Sequence, residues 1–244
     1  MSLEVTNNKE ITMIGGYLYL DDDGCLINPT SIENIPEKWS VLVAEVVNAF
    51  VSALGGNLHS VYIRGSVARG TMISGVSDVD TYCVVESDCS GDDLTKLKEL
   101  VDELESKHTF ATGIEAAVLN IDKVLSTEAD KFLIKSQSLC IWGEDLGLLI
   151  DSCPLSTNAM LHCMKLDKIN GNFFEYSDIV KNKGDSVKMR FCRNWVSRVI
   201  LRTAFEVVML REKKYTRDLY FCWLSYSKYY PTDAPIHQIL KFPN

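Results

Sequence analysis

The residues of this 244-residue chain best suited to chemistry are the carboxylates Asp78 and Asp80, one residue apart, and a later glutamate, Glu115. The first two close the segment VYIRGSVARGTMISGVSDVDTYCVV, residues 61–85. On a strand, side chains at i and i+2 share a face, so Asp78 and Asp80 are expected to project together. Two adjacent carboxylates repel unless a cation lies between them, and each pKa unit of that repulsion is about 1.4 kcal/mol. Hard oxygen donors at this spacing suit Mg²⁺, which takes a few carboxylates together with substrate phosphates. Glu115 lies in GIEAAVLN, an otherwise mostly apolar run, where a lone carboxylate must face solvent, a partner or a metal because burial without compensation costs several kcal/mol.

Upstream of the aspartates, Gly65 allows backbone to approach a phosphate closely. Ser66 and the amides after it begin a helical turn, a favourable position for an anion. Arg69 is one turn further on, within reach of a phosphate or of the acids. Ser77 heads the Ser-Asp-Val-Asp run and joins Gly65, Ser66 and Arg69 as a nucleotide-binding candidate. A Gly-Ser pair or an Asp-x-Asp by itself marks a turn or a helix cap; their combination between two apolar strands is what points to function.

The pattern Gly-Ser-x-x-x-Gly, followed after seven residues by Ser-Asp-x-Asp, resembles the DNA polymerase β-like nucleotidyltransferases, in particular the small bacterial and aminoglycoside nucleotidyltransferases. The resemblance spans residues 60–120, with a further likeness over KSQSLCIWGEDL (135–146), and is weak beyond 150. It implies that Gly65-Ser66 hold a nucleoside triphosphate, ATP by preference, that Asp78 and Asp80 bind two Mg²⁺ ions, and that Glu115 completes the metal set as ligand or general base. The implied reaction moves a nucleoside monophosphate to an acceptor hydroxyl and releases pyrophosphate. A small-molecule acceptor is the leading expectation. The alternatives are a protein- or RNA-directed enzyme of toxin–antitoxin type, and a nucleotide-binding regulatory module without turnover.

Positioning these residues requires strands expected over 59–66, 79–86, 113–121 and 138–143. An apolar helix is expected from Pro36 to Leu54, and an amphipathic one over 92–108 with acids at its start and Lys107-His108 at its end, matching the helix dipole. Residues 11–28 read as two short strands about an acidic turn. From Ser156 the pattern turns helical, roughly over 156–170, 186–213 and 216–229, before Pro231 and Pro235. The expected fold is α+β: a mixed nucleotidyltransferase-type sheet flanked by helices in residues 1–150, then a helical domain over 151–244.

The net charge is −8. Residues 1–150 carry ten Lys/Arg against twenty-four Asp/Glu, and residues 151–244 carry fifteen against nine. An acidic first half argues against a nucleic-acid binder. The basic residues of the second half (Lys188, Arg190, Arg193, Arg198, Arg202), like Lys135, are lesser candidates for phosphate contact. The eight cysteines form no CxxC pair, and no signal peptide or membrane span is evident, so a cytoplasmic location is expected. The acceptor's identity and the oligomeric state are not legible.

Overall fold

The structure, a computed structural model, describes residues 13, 15–160, 174–179, 181–182 and 186–230. Packing divides the chain into two units, Cys25–Pro154 and a second that joins Met1–Gly24 to Leu155–Asn244. Of the described residues before Cys25, 15–24 group with the helical unit.

The first unit is built on a four-stranded mixed sheet, β1 (Leu58–Arg64), β2 (Val79–Val85), β3 (Ile114–Asn120) and β4 (Ser138–Gly143), in the order β3-β2-β1-β4. β1 runs antiparallel to both β2 and β4, whereas β2 and β3 are parallel. A parallel neighbour needs a long crossover. Helix α3 (Gly91–Lys107) supplies it, started by a capping box in which Ser90 and Asp93 satisfy each other's backbone N–H.

Strand alternation sorts the sheet into two faces. Val61, Ile63, Val79, Cys83 and Val85 face the core formed with helix α1 (Glu37–Leu54) and α3, in which Leu42, Val46 and Phe50 are fully buried. Each such side chain contributes roughly 1.5–3 kcal/mol by leaving water. α1 is long and apolar enough by composition for a membrane span, but half of that stretch is buried within the protein. Tyr62, Tyr82 and Val84 point the other way, into a second cluster with Val124, Ile134, Leu146 and Ile150. Val124 belongs to α4 (Ile121–Ser126) and Ile134 to α5 (Glu128–Gln137). The sequence pattern did not reveal these two short helices; they are separated by Thr127 alone.

In the second unit the apolar helix Ser186–Glu212 buries Leu201, Phe205, Val208 and Met209, and a shorter helix, Leu219–Ser227, follows. Residues 15–28 do not form the expected pair of strands. Leu18 instead bridges Tyr215, and the amide of Gly16 donates to Asp218 Oδ2 at 2.9 Å. Gly16, Tyr17 and Leu18 find their polar partners between Tyr215 and Ser225. Of the helix expected over 156–170, only a 3-10 turn at Thr157–Ala159 is seen, and the remainder from 161, like Pro231 and Pro235, lies outside the described residues.

Candidate active site

The site begins where β1 runs out. Arg64 is its last residue, and the four-residue helix α2 (Gly65–Ala68) follows at once. Gly65 sits at φ +74°, the left-handed region favourable to glycine, and a Cβ placed there would lie 2.1 Å from Asp80 Oδ2. The bare α-carbon of Gly65 therefore makes room for the carboxylate of Asp80. Val67 and Ala68 anchor the turn in the core at full burial.

Cross-strand register assembles the rest. Arg64 on β1 is opposite Asp80 on β2, and Asp80 is opposite Glu115 on β3. By alternation all three lie on the face that carries Tyr62 and Tyr82, away from α1 and α3. Arg64 Nη2 donates to Glu115 Oε2 at 2.9 Å and lies 4.0 Å from Asp80 Oδ1. Thr81, fully buried, ties the strands together by donating its hydroxyl to the Glu115 carbonyl at 2.5 Å.

The electrostatics follow from this row. Burial and the adjoining Asp80 carboxylate, which is within hydrogen-bonding reach, raise the Glu115 pKa above the usual glutamate value, while Arg64 opposes the rise. With its side chain 49% exposed, Glu115 has that perturbation screened by water. Burial disfavours the charge on Arg64, but Asp80 and Glu115 more than offset it, so its pKa rises. Beneath Arg64, Tyr62 and Tyr82 stack at 5.1 Å. The Tyr82 hydroxyl is enclosed and makes no hydrogen bond of good geometry, and burial drives its pKa upward.

The sequence candidates separate in the structure. Asp80 and Glu115 come together beside Gly65. Asp78 lies one residue ahead of β2 and is exposed, so strand alternation does not govern its side chain. Among the described residues, no three His, Cys, Asp or Glu side chains converge closely enough to hold a metal ion. The donor set still fits Mg²⁺: hard carboxylate oxygens, two of them in close approach, with a cationic guanidinium already between them. Ser66 accepts the Thr71 N–H at its carbonyl, 2.9 Å. Arg69 Nε donates back to the Gly65 carbonyl at 3.3 Å, bracing the turn. Ser77 Oγ accepts the Ile73 amide at 2.9 Å and so organises its own loop.

Among the lesser candidates, Lys135 donates to the Gly147 carbonyl at 2.8 Å. Arg202 donates from Nε to the Arg217 carbonyl at 3.2 Å, and burial brings its pKa down to about 9. Both contacts serve the local fold. The side chains of Lys188 and Arg190 lie outside the described ones. A cleft lined by Cys89, Leu94, Lys98, Asp102 and Val118 opens between α3 and β3, on the sheet face opposite the Glu115 carboxylate.

Sequence reasoning missed Arg64. The available signal was its parity with Tyr62, which puts a basic side chain at the end of a strand directly before the Gly-Ser turn.

Residues 44–136, the segment that contains the Arg64–Asp80–Glu115 row, match the nucleotidyltransferase domain family. Residues 44–136 thus carry a nucleotidyltransferase domain. Similar solved structures include a spectinomycin adenyltransferase from Enterococcus faecialis with ATP and spectinomycin, at 12% identity and a TM-score of 0.44, covering 82% of this chain and 96% of that one. A tri-AMPylated HEPN toxin from Shewanella oneidensis in complex with MNT antitoxin aligns at 13% identity and a TM-score of 0.30, over 54% of this chain and 96% of that one. A toxin–antitoxin complex with AMP-PNP aligns at 14% identity and a TM-score of 0.29, over 56% and 94% respectively. No curated protein matches the chain.

Proposed function

We propose that this nucleotidyltransferase moves a nucleoside monophosphate from ATP to a hydroxyl of a small-molecule acceptor and releases pyrophosphate. The observation that carries the reading is the shared register of Asp80 and Glu115 on one sheet face, against the Gly65 turn. Asp80 and Glu115, joined by Asp78, would hold two Mg²⁺ ions. Bound there, the ions would supply the positive charge that steadies attacking and leaving oxygens in phosphoryl transfer.

The chain's own groups have separable tasks. The amides of the Gly65–Ser66 turn hold the polyphosphate, with the Ser66 hydroxyl as an additional donor. Ser77 and Arg69 keep that turn and the following loop in shape. Glu115 is placed to accept the acceptor's hydroxyl proton, since its half-exposed position lets that hydroxyl reach it. Much of the rate then comes from alignment and fixed charge.

The acidic balance of residues 1–150 supports a polar or cationic acceptor over a nucleic acid. The direct test incubates the full chain with MgCl₂ and ATP labelled at the α-phosphate, together with aminoglycosides and polar metabolites. Pyrophosphate release with label on a small molecule, abolished in Asp80→Asn, is the expected result. Label on a polypeptide or RNA would overturn the acceptor class, and absence of pyrophosphate release with every NTP would overturn the reaction.

A further inference from the structure

Arg64 stands where neither a structural strand residue nor a solvent-facing cation is needed. Its side chain is only 22% exposed, yet it reaches across β2 to Glu115 on β3. It engages Glu115 Oε2 at 2.9 Å and approaches Asp80 Oδ1 at 4.0 Å. These are oxygens of the two carboxylates that a divalent cation would take. A guanidinium and a metal ion on the same pair of carboxylates compete for their negative charge, and their like charges repel, so the ion pair weakens the hold on the metal. A guanidinium released from both carboxylates must find another anion, since a shielded charge without a partner is strongly disfavoured. Arg64 immediately precedes Gly65-Ser66, where the polyphosphate is proposed to bind, and its planar fork of donors matches phosphate oxygens as well as it matches a carboxylate.

Resting on the proposed function, we infer that Arg64 couples nucleotide binding to divalent-cation binding: its guanidinium exchanges Asp80 and Glu115 for polyphosphate oxygens at the adjoining turn, freeing both carboxylates for the ion. Arg64 is therefore a positioning residue with two alternative anionic partners, and nucleotide and metal reinforce each other's binding through it.

Mn²⁺ binding, followed by electron paramagnetic resonance on the full chain, tests this without turnover. Titrations are run with and without a non-hydrolysable ATP analogue on wild type, Arg64→Met and Arg64→Lys, each first checked for folding by circular dichroism. Without nucleotide, Arg64→Met is expected to bind Mn²⁺ at least about tenfold more tightly than wild type, because the competing cation is gone. The factor by which the analogue tightens Mn²⁺ binding should be at least about tenfold smaller in Arg64→Met than in wild type, a comparison that cancels direct contact between analogue and metal. Arg64→Lys keeps the charge and loses the fork; it should bind Mn²⁺ alone as weakly as wild type and show reduced coupling. If Arg64→Met fails to fold, the Arg64→Lys titrations decide the matter alone. Unchanged Mn²⁺ affinity in Arg64→Met, or coupling equal to wild type in the variants, overturns the role of Arg64 while leaving the proposed function intact. Failure of wild type to bind the analogue at all overturns both.

Discussion

Gly65 and Gly75 form a natural controlled pair for the geometry of the site. Both have positive φ, +74° and +77°, so alanine at either position pays the left-handed penalty of about 1–2 kcal/mol. They differ in their surroundings. A Cβ on Gly75 meets nothing within 4 Å, whereas a Cβ on Gly65 would lie 2.1 Å from Asp80 Oδ2. The atom that must yield is the tip of a side chain, so the added strain is modest, about 0.5–1.5 kcal/mol for an off-rotamer aspartate. At roughly 2–4 °C per kcal/mol for a protein of this size, Gly75→Ala should melt about 2–8 °C below wild type, and Gly65→Ala a few degrees lower still. The functional contrast should be far larger. Displacing a reacting group by about 1 Å can lower a rate by about 100-fold. Melting curves, paired with nucleotidyl transfer measured well below both transitions, separate the effects: Gly75→Ala should keep activity within a few-fold of wild type, and Gly65→Ala should lose about 100-fold or more. Equal activity in the two variants would refute the claim that Gly65 exists to accommodate Asp80.

Glu115→Gln should fold and bind nucleotide but transfer about 100- to 1000-fold more slowly, the range seen when one pre-organised charge-stabilising group is removed. Glu45 is lowered by hydrogen bonds from Lys107 and His108, so its stabilising effect is present above pH 4.5 and is lost as pH falls through the depressed value. Glu45→Gln should accordingly melt below wild type at pH 7, and the gap should close on acidification below pH 4.5. Tyr82→Phe removes an enclosed hydroxyl that lacks a well-formed hydrogen bond, and should leave the unfolding free energy from denaturant titration equal to wild type or higher by up to about 1 kcal/mol.

What could be seen in the sequence was local. The alternation in 79–85, the helical spacing in 37–54 and the Gly-Ser and Asp-x-Asp runs each draw on neighbours within a turn or two of chain, and the strands and long helices appear where those periods place them. The rest depended on long-range pairing. That β1 is flanked by both β2 and β4, and that Asp80 stands opposite Glu115 in particular, are matters of register across separate segments. Arg64 escaped notice for this reason: as a strand-end arginine it has no meaning until β2 and β3 supply its carboxylates. For Asp78 the periodicity argument stops short, because β2 starts one residue after it and the i, i+2 rule does not reach it. The N-terminal strands failed in the same way, since Leu18 finds its partner at Tyr215. The helices at 121–137 are too short for their period to stand out beside the caps at Asn120 and Thr127.

Among the described residues, β3 forms one border of the sheet, hydrogen-bonded to β2 alone. Glu115, the second residue of β3, therefore keeps its alignment through a single seam, fastened at the start by Val79 N–H to the Gly113 carbonyl and by the Ile114 amide to Glu105. Slippage by one residue would carry the Glu115 carboxyl to the wrong side and, with it, take Ile114, Ala116 and Val118 off the core they share with α1. Warming should consequently remove activity and packing together, with inactivation tracking the cooperative transition; activity lost well below that transition would show that the seam yields on its own.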